Sequence, residues 1–340
     1  MTESRLEQIL GALPRLRIAV VGDLFLDRYL DLDATLTEPS IETGLDAYQV
    51  TRVRSYPGAA GTVINNLAAL GVGTIVPLAV IGDDGEGYEL KKALAAMPAV
   101  RPNQLLARAD RRTPTYTKPM LCEPGAAPRE LHRLDIKNRL TLPSDAEAGI
   151  LTALAQVWPS IDALLVLDQV SEADCGVITE RVRQRLAELG AAQPHKWILA
   201  DSRERIGLFR NVCLKPNVTE SCKALGKELP PSQLAAKLVQ RCGRPVFCTC
   251  GADGIWVAQP EQPPTLVAAP RVTGPLDTVG AGDSTSAGLA CALASGATLA
   301  EAAALANIVA SITIQQIGTT GTATPEQVRQ RWRETKVSDE

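Results

Sequence analysis

The chain has 340 residues, of which 45% are apolar and only 4% aromatic, and its 35 Lys and Arg against 38 Asp and Glu leave a formal charge of −3. That length suits one large α/β domain or two smaller ones, with enough apolar side chains for a sizeable core. The balanced charge excludes an extended basic surface and the few aromatic residues offer little for base stacking, so we expect no nucleic-acid partner.

The N-terminal residues are polar and lack the apolar run of a secretory signal peptide, which favours a cytoplasmic protein. The Ala-rich stretch 287–314 contains polar residues and glycine, so it predicts two packed helices and no membrane span. Without a secretory signal, we expect the eight cysteines to be reduced and buried. Neither the spacing of Cys248 and Cys250 nor the two isolated histidines match a common zinc motif, so we expect no structural zinc.

Apolar periodicity predicts a short helix at residues 6–13 and then a buried strand at residues 17–21. Asp23 and Asp27 follow the carboxyl end of that strand, which is the edge where open α/β sheets bind ligands. Both are candidates for substrate binding, and Asp27 is suited to accept hydrogen bonds from sugar hydroxyls. The alternative is a turn residue and a surface residue paired with Arg28, and for Asp23 alone the turn is the better explanation.

Residues 29–56 consist of short alternating segments that predict strands of a small exposed sheet, and segments at 105–108 and 115–121 are expected to extend it. Residues 56–61 are predicted to form a flexible loop before a helix at 62–70. Gly58 in that loop suggests close approach to a ligand, although a tight turn would also explain it. We therefore expect one domain over residues 1–340, with lid segments inserted at about 29–56 and 105–121.

The second half of the chain alternates regularly between helices and strands. Helices are predicted at residues 145–158, 175–189 and 231–240, and strands at 163–167, 197–200 and 245–250. This alternation predicts a mostly parallel sheet with helices on both faces. Since the carboxyl ends of parallel strands share one edge, the polar residues that follow them are expected to line one cleft.

Asn217 and Glu220 follow one of these strands and lie three residues apart. In a turn that begins a helix, both side chains could face one Mg²⁺ through its water molecules. The competing interpretation is a capping box, with Asn217 as the N-cap and Glu220 at the third helical position. The spacing alone fits both interpretations.

The stretch from Asp277 reads Asp-Thr-Val-Gly-Ala-Gly-Asp-Ser-Thr-Ser-Ala-Gly. A glycine-rich turn that leads directly into a helix directs backbone N–H groups towards one point at the positive end of the helix, which favours a phosphate. A carboxylate would repel that phosphate, but Asp283 makes sense as a general base for a hydroxyl that attacks phosphorus. A glycine C-cap, a turn and an Asp N-cap would explain a bare Gly-x-Gly-Asp.

The same stretch resembles the C-terminal signature of the PfkB (ribokinase-like) family of carbohydrate kinases. Weaker matches follow the family's order at residues 21–27, 57–58, 114–117, 215–220, 249–254 and 306–307. The resemblance covers about residues 16–325 and is nearest to the bacterial heptose-phosphate kinases. It implies a ribokinase-like α/β fold, with a mostly parallel central sheet covered by helices on both faces and a small β-sheet lid.

The resemblance implies ATP-dependent phosphorylation of a hydroxyl on a sugar or sugar phosphate, with ATP as co-substrate and Mg²⁺ as cofactor. Asp283 would be the catalytic base, and Asp27 the carboxylate that binds sugar hydroxyls. The anion hole for the phosphoryl group in transfer would be formed by the backbone amides of Gly280, Ala281 and Gly282. Asn217 and Glu220 resemble the pair that organises Mg²⁺ and phosphate in the family.

The remaining implied contacts concern ATP, a monovalent cation and a second subunit. The borders of the ATP site would be formed by Thr249, Gly251, Gly254 and Asn307. Asp277 and the loop at 318–321 fall where many members hold a monovalent cation such as K⁺. The lid makes the dimer contact in many relatives, which implies a homodimer.

The chain departs from the family's pattern on the sugar side. Many relatives have a Gly-Gly pair and a sugar-binding Asn after Pro57, where this chain has Ala59 and Thr62. Residues 201–205 replace the Asp-Pro-Lys-Gly of the heptose kinases, so that Arg203 or Arg205 either meets a phosphate or is solvated. Two alternatives therefore remain: a non-catalytic sugar or nucleotide sensor on the same fold, and a nucleoside kinase with few aromatic residues for base stacking.

Overall fold

The computed structural model describes residues 1–318 and 320–337, without the side chains of residues 336 and 337. The strands are β1 Arg17–Gly22, β2 Leu24–Pro39, β3 Asp46–Ala59, β4 Thr74–Gly82, β5 Leu105–Arg108, β6 Thr115–Cys122, β7 Arg129–Glu130, β8 Leu134–Ile136, β9 Ala163–Asp168, β10 Trp197–Ser202, β11 Cys213–Leu214, β12 Val246–Thr249, β13 Ile255–Gln259 and β14 Gln262–Val267. The helices are α1 Glu3–Ala12, α2 Ala60–Ala69, α3 Gly85–Ala95, α4 Ser144–Val157, α5 Glu180–Ala192, α6 Val218–Leu225, α7 Pro231–Cys242, α8 Ala281–Ala294, α9 Leu299–Thr313 and α10 Pro325–Val337.

The central sheet has nine strands in the order β14-β13-β12-β11-β10-β9-β1-β4-β5. Neighbouring strands from β12 to β5 are parallel, and only the β12–β13 and β13–β14 pairs are antiparallel. The carboxyl ends of β1, β9, β10, β11 and β12 therefore meet at one edge. The fold predicted from the alternating elements is confirmed, and this edge is where the site is assembled.

Two apolar layers cover the central sheet, one on each face. Side chains of β1 alternate between them, with Ile18 and Val20 in one layer and Ala19 and Val21 in the other. The first layer packs against α1, α2, α3, α8, α9 and α10, and the second against α4, α5 and α7. Burial on both faces explains why these strands are almost continuously apolar.

The small sheet contains β3, β2, β6 and β7 in that order, with β8 also paired to β6. Strand β2 pairs antiparallel with β3 and parallel with β6, which sets Asp27 opposite Tyr116. The prediction that residues 105–108 extend this sheet was wrong. Strand β5 pairs with β4 at the edge of the central sheet, because Leu105 and Leu106 contribute to its two apolar layers.

Two other local predictions also need correction. Residues 56–59 are the end of β3 and not a flexible loop, since they pair with Leu24–Asp27 of β2. The helix predicted at 175–189 begins only at Glu180, where the Thr179 side chain caps it. The segment before that cap lies against the carboxyl edge of the central sheet.

The Ala-rich stretch near the C-terminus forms α8 and α9, as predicted. These helices pack closely because Gly288 of α8 faces Ala306, whose Cα lies 2.9 Å from where a Cβ on Gly288 would be. No helix in the described residues combines the length and apolarity needed to traverse a bilayer.

Candidate active site

A cleft of about 330 Å³ opens between the carboxyl edge of the central sheet, the small sheet and the start of α8. Asp27 from β2, Thr62 from α2, and Gly280 and Asp283 from the start of α8 all line this cleft. These residues lie up to 256 positions apart in the sequence, since 283 − 27 = 256. The fold therefore brings three of the carboxylates that the sequence singled out, Asp23, Asp27 and Asp283, to the same cavity.

Gly280 is the N-cap of α8 and has a left-handed backbone, with φ at 81°. Glycine adopts this conformation at little cost, and here it turns the chain so that the helix begins at the cleft. The amide of Ala281 donates to the Thr278 carbonyl at 3.1 Å. That bond occupies the Ala281 amide, which was predicted to form part of the anion hole. Within the described residues, no backbone acceptor is found for the amides of Gly280 and Gly282.

Asp283 lies in the first turn of α8 and keeps access to the cleft. Desolvation by the surrounding protein, followed by repulsion from Asp201, raises its pKa to about 7, while Lys215 and Arg203 oppose that rise and Asp27 adds to it. A carboxylate whose pKa lies near neutrality is suited to accept a proton at physiological pH. The helix N-terminus beside it favours an anion.

Asp27 lies across the same cleft, half-buried on β2. Desolvation raises its pKa, and the opposing attraction comes from Lys118, Arg133 and Arg203. Gly58 on the paired strand lies directly beside it, because a Cβ at that position would be only 2.7 Å from Asp27 Oδ2. Glycine is therefore required at position 58 to leave room for the carboxylate. Gly58 itself is not among the residues that line the cleft.

Asp23 has a different environment from Asp27. Its carboxylate accepts three backbone N–H bonds at 2.7–3.0 Å, from Gln169, Val170 and Val177. Burial, and after it the nearby Asp168, raise its pKa to about 6. These bonds occupy the carboxylate, so the contacts favour the turn interpretation over the predicted substrate contact: Asp23 holds the segment 169–177 against β1.

Sequence reasoning missed a group of basic residues along one wall of the cleft. Lys118 on β6, with Arg133 and Lys137 on either side of β8, lines the cavity together with Tyr116. The Arg133 guanidinium lies 4.3 Å from the centre of the Tyr116 ring and pairs with Asp135 at 2.7 Å. The sequence could have shown that Tyr116 and Lys118 lie on one face of β6, because alternate residues of a strand share a face. Their proximity to Asp27 depends on the pairing of β6 with β2.

Arg203 and Arg205, which follow β10, have different surroundings. Arg205 binds Asp168 through two nitrogens, at 2.6 and 3.1 Å, and thereby anchors the sheet edge. Arg203 lines the cleft and is exposed, and no acceptor for its guanidinium is found among the described residues. Of the two predicted phosphate contacts, only Arg203 is therefore free to meet a ligand.

A buried ion pair lies beneath the start of α8, and sequence reasoning did not assign it a role. Lys215 Nζ contacts Asp201 Oδ2 at 2.9 Å, and both side chains are less than a tenth exposed. Asp201 also accepts a hydrogen bond from the Ser286 hydroxyl of α8 at 3.3 Å. The Lys215 ammonium lies 3.5 Å from where a Cβ on Gly282 would be.

Asn217 and Glu220 form the capping box that the spacing allowed. The Asn217 side chain accepts a hydrogen bond from the backbone amide of Glu220 at 2.8 Å. In return, Glu220 Oε2 accepts a hydrogen bond from the backbone amide of Asn217 at 2.8 Å. Desolvation, with repulsion from Asp201 next, raises the pKa of Glu220. Thr249 is the direct bridge partner of Asn217 on the neighbouring strand.

The residues still fit a hydrated Mg²⁺, which prefers oxygen ligands and commonly shares one or two carboxylates with substrate phosphates. The second carboxylate oxygen of Glu220, Oε1, has no hydrogen-bond partner in the described part of the chain. No group of three or more His, Cys, Asp or Glu that could hold a metal ion occurs among the described residues. A water-bridged ion held jointly with ATP phosphates is the form that this site suits.

The other predicted nucleotide residues and Asp277 of the predicted cation site are not among the residues that line the cleft, whereas Thr320 of the 318–321 loop lines it. Gly251 and Gly254 form the tight turn between β12 and β13, where the Gly254 amide donates to the Gly251 carbonyl. The Asn307 amide donates to the Val267 and Ala268 carbonyls at 2.8 and 3.2 Å, which fastens α9 to the end of β14. This leaves only its carbonyl oxygen for a ligand.

Asp277, the predicted monovalent-cation ligand, accepts backbone N–H bonds from Val279 at 3.0 Å and from Gly318 at 3.1 Å. It therefore links the start of the Gly280 turn to the loop after α9. Thr319 belongs to the 318–321 loop, the other part of the predicted cation site, and lies outside the described residues.

Comparison with known proteins shows which family and which relatives this chain is similar to. Residues 210–327 match the model of the pfkB family carbohydrate kinases. The Bifunctional protein HldE of Trichlorobacter lovleyi is 31% identical over 337 residues, which cover 96% of this chain and 65% of that protein. The HldE of Citrifermentans bemidjiense is 29% identical, over 100% of this chain and 68% of its own. The chain thus spans less than two thirds of the length of the Trichlorobacter protein and slightly more than two thirds of the Citrifermentans protein.

Solved structures share the fold at low identity. The phosphofructokinase-2 from Escherichia coli in complex with fructose-6-phosphate has a TM-score of 0.68 at 17% identity, over 94% of this chain and 99% of that chain. The Arabidopsis thaliana ribokinase complexed with ribose and ATP has a TM-score of 0.68 at 18% identity, over 93% and 98%. The fold is therefore that of the ribokinase-like kinases. More particularly, residues 210–327 match the pfkB family that the motifs indicated, and HldE proteins are similar to the chain over most of its length.

Proposed function

We propose that this protein transfers the γ-phosphoryl group of ATP to a hydroxyl of a sugar phosphate. The carrying observation is that Asp283, with a pKa of about 7, lies in the first turn of α8 and faces the same cleft as Asp27. Asp283 accepts the proton of the attacking hydroxyl. The amides of Gly280 and Gly282 and the helix N-terminus receive the phosphoryl group.

A phosphorylated acceptor is favoured over a neutral sugar because of the basic wall. Lys118, Arg133 and Lys137 line the cleft on the side of the small sheet, and Arg203 adds a fourth cation from the sheet edge. Among the described residues, Asp135 is the carboxylate that forms ion pairs with this group, through Arg133 and Lys137. A phosphate would balance the remaining positive charge, whereas a neutral sugar would not. In this arrangement Asp27 binds the sugar hydroxyls, and the acceptor's own phosphate lies towards Arg133.

ATP is proposed to lie on the side of the turn that faces away from the small sheet, along Thr249, Gly251 and Gly254, with Asn307 at the adenine end. Glu220 and Asn217 would hold Mg²⁺ through water molecules, and the ion would neutralise phosphate charge. Asp277 stays a candidate for holding a monovalent cation such as K⁺ through the loop that it joins.

The test is ADP release from ATP and Mg²⁺ across a panel of sugars and their phosphates, compared between wild type, Asp283→Asn and the exposed-site control Asp46→Asn. We expect turnover on a sugar phosphate, and a 10²–10⁴-fold lower kcat for Asp283→Asn alone, as is typical when a general base is removed. Equal rates in wild type and Asp283→Asn would eliminate the base. Sugar binding without turnover would instead favour the sensor, and preferred turnover of nucleosides the nucleoside kinase.

A homodimer through the small sheet is part of this proposal. Strand β3 exposes Tyr48, Val50, Val53 and Tyr56, each at least 40% accessible. Such an apolar surface on one sheet is suited to an isologous contact. We expect Val53→Glu to lower the sedimentation coefficient towards that of a monomer, whereas Lys237→Glu on the exposed side of α7 should have no effect. A wild-type protein that sediments as a monomer at all concentrations would rule the dimer out.

A further inference from the structure

We propose that Lys215 is a catalytic residue whose ammonium group donates a hydrogen bond to the phosphoryl group in transfer. The proposal rests on the kinase function proposed above and adds a side chain to its phosphoryl site. The basis is position: Lys215 Nζ lies 3.5 Å from where a Cβ on Gly282 would be, at the turn that begins α8. Glycine at position 282 keeps any side chain from standing between the ammonium and the turn.

The hydrogen bonds of Lys215 leave donors available for a ligand. A lysine ammonium has three N–H donors, and the acceptor found for Lys215 Nζ among the described residues is Asp201, at 2.9 Å. Asp201 is itself held by the Ser286 hydroxyl of α8. This contact fixes the ammonium against the helix start, which is the preorganisation that transition-state stabilisation needs.

The surroundings of Lys215 are acidic. Its ammonium contacts Asp201 at 2.9 Å and lies within electrostatic reach of Glu220 and Asp283. The ammonium is thus shared between the proposed base and the proposed Mg²⁺ residue. Without Lys215, three carboxylates would face an incoming polyphosphate with no cation among them except Arg203.

In the transfer step, the acceptor oxygen bonds to the γ-phosphorus as the bond from that phosphorus to the ADP oxygen breaks. The acceptor's proton passes to Asp283, and ADP leaves with the electron pair. Lys215 forms and breaks no covalent bond. Its role is to neutralise charge on the equatorial oxygens of the phosphoryl group, over which the charge of the transition state is spread.

The experiment compares MgADP binding with and without aluminium fluoride, which mimics the phosphoryl group in transfer, for wild type, Lys215→Met and the control Lys196→Met. Lys196 contacts the Trp158 carbonyl and ring at the opposite edge of the sheet. We expect Lys215→Met to bind MgADP with an affinity within about threefold of wild type, but aluminium fluoride should no longer tighten that binding. Its kcat should fall by about 10²–10³-fold, as when an oxyanion donor is lost. Lys196→Met should keep both.

The assignment would be overturned if aluminium fluoride tightened MgADP binding to Lys215→Met and the variant turned over acceptor at the wild-type rate. If aluminium fluoride does not tighten MgADP binding to the wild-type protein and the wild type turns over no acceptor, the proposed kinase function is wrong, and the role of Lys215 falls with it. Should Lys215→Met fail to fold because Asp201 is left unpaired, the double variant Asp201→Asn/Lys215→Met is compared with Asp201→Asn alone. Equal tightening in those two variants would count against Lys215 in the same way.

Discussion

The two ends of the cleft are built differently. At the phosphoryl end, one continuous segment from Asp277 to Asp283 supplies the turn, the helix start and the proposed base, and Lys215 supports it from below. At the proposed sugar end, Asp27, Thr62 and Lys118 come from three separate elements and Arg133 from the segment before β8, and they meet only through strand pairing and helix docking. We therefore expect the local motif to govern the proposed reaction and the long-range packing to govern the choice of acceptor.

The pH dependence tests the phosphoryl end with the largest expected effect. Only ionised Asp283 can accept a proton, and its pKa is raised to about 7. We therefore expect kcat/KM to fall roughly tenfold per pH unit below 7, because the ionised fraction falls by that factor. The measurement is the kcat/KM profile between pH 5 and 9 in buffers of constant ionic strength. A profile that is flat from pH 5 to 8 would contradict the base assignment.

At the sugar end, Asp27→Asn keeps the shape of the side chain and removes its charge. We expect kcat/KM for the acceptor to fall by roughly 10–100-fold, since a hydrogen bond to a charged group contributes about 1.5–3 kcal/mol. The KM for ATP should not change, because ATP is proposed to bind elsewhere. Asp31→Asn is the matched control: it lies on the same strand, paired with Arg54 at 2.6 Å. If both variants behave alike, Asp27 does not bind substrate.

Arg133→Gln separates a phosphorylated acceptor from a neutral one. We expect KM for a sugar phosphate to rise roughly tenfold, equivalent to about 1.4 kcal/mol, and KM for the corresponding free sugar to stay the same. Arg129→Gln on β7, which is exposed and not among the residues lining the cleft, serves as the control. The proposed phosphate contact would be refuted by an equal rise for both acceptors.

The raised pKa of Asp283 also predicts an effect on stability. A carboxyl group whose pKa is higher in the folded protein binds its proton more tightly there, so stability is lost as pH rises from about 4 through about 7. Asp283→Asn cannot ionise, so its melting temperature should exceed that of wild type at pH 8 and approach it at pH 4. Thermal unfolding at the two pH values measures this, and an unchanged difference between them would contradict the shift.

Ala59 gives the smallest expected effect and tests the departure from the family pattern. It stands between β3 and α2 with φ at 52°, a region that favours glycine. Relieving such strain gains about 1–3 kcal/mol, less about 0.5–1 kcal/mol for the greater freedom of glycine in the unfolded chain. Ala59→Gly should therefore stabilise the protein by about 1 kcal/mol in urea unfolding. Ala68→Gly within α2 should instead destabilise it by about the same amount.

The sequence predicted local elements well where local chemistry decides them. The buried strands β1, β9 and β10 were recognised because both of their faces are apolar, and the start of α8 because a glycine turn and small residues mark it. From the sequence, strand β5 was assigned to the wrong sheet, because a strand of only four residues carries no information about which strand it pairs with. The capping box of Asn217 and Glu220 was one of two interpretations, and only the hydrogen bonds established that it forms.

The sequence alone thus determined the α/β class, the resemblance to the pfkB family and the glycine turn that begins α8, since these depend on periodicity and on residues adjacent in the chain. The tertiary structure decided what depends on distant contacts. It occupied Asp23 with three backbone amides, left Arg203 free while Arg205 bound Asp168, and brought Lys118 and Arg133 opposite Asp27. It also placed Lys215 beneath Gly282, where a buried ammonium and a helix N-terminus converge.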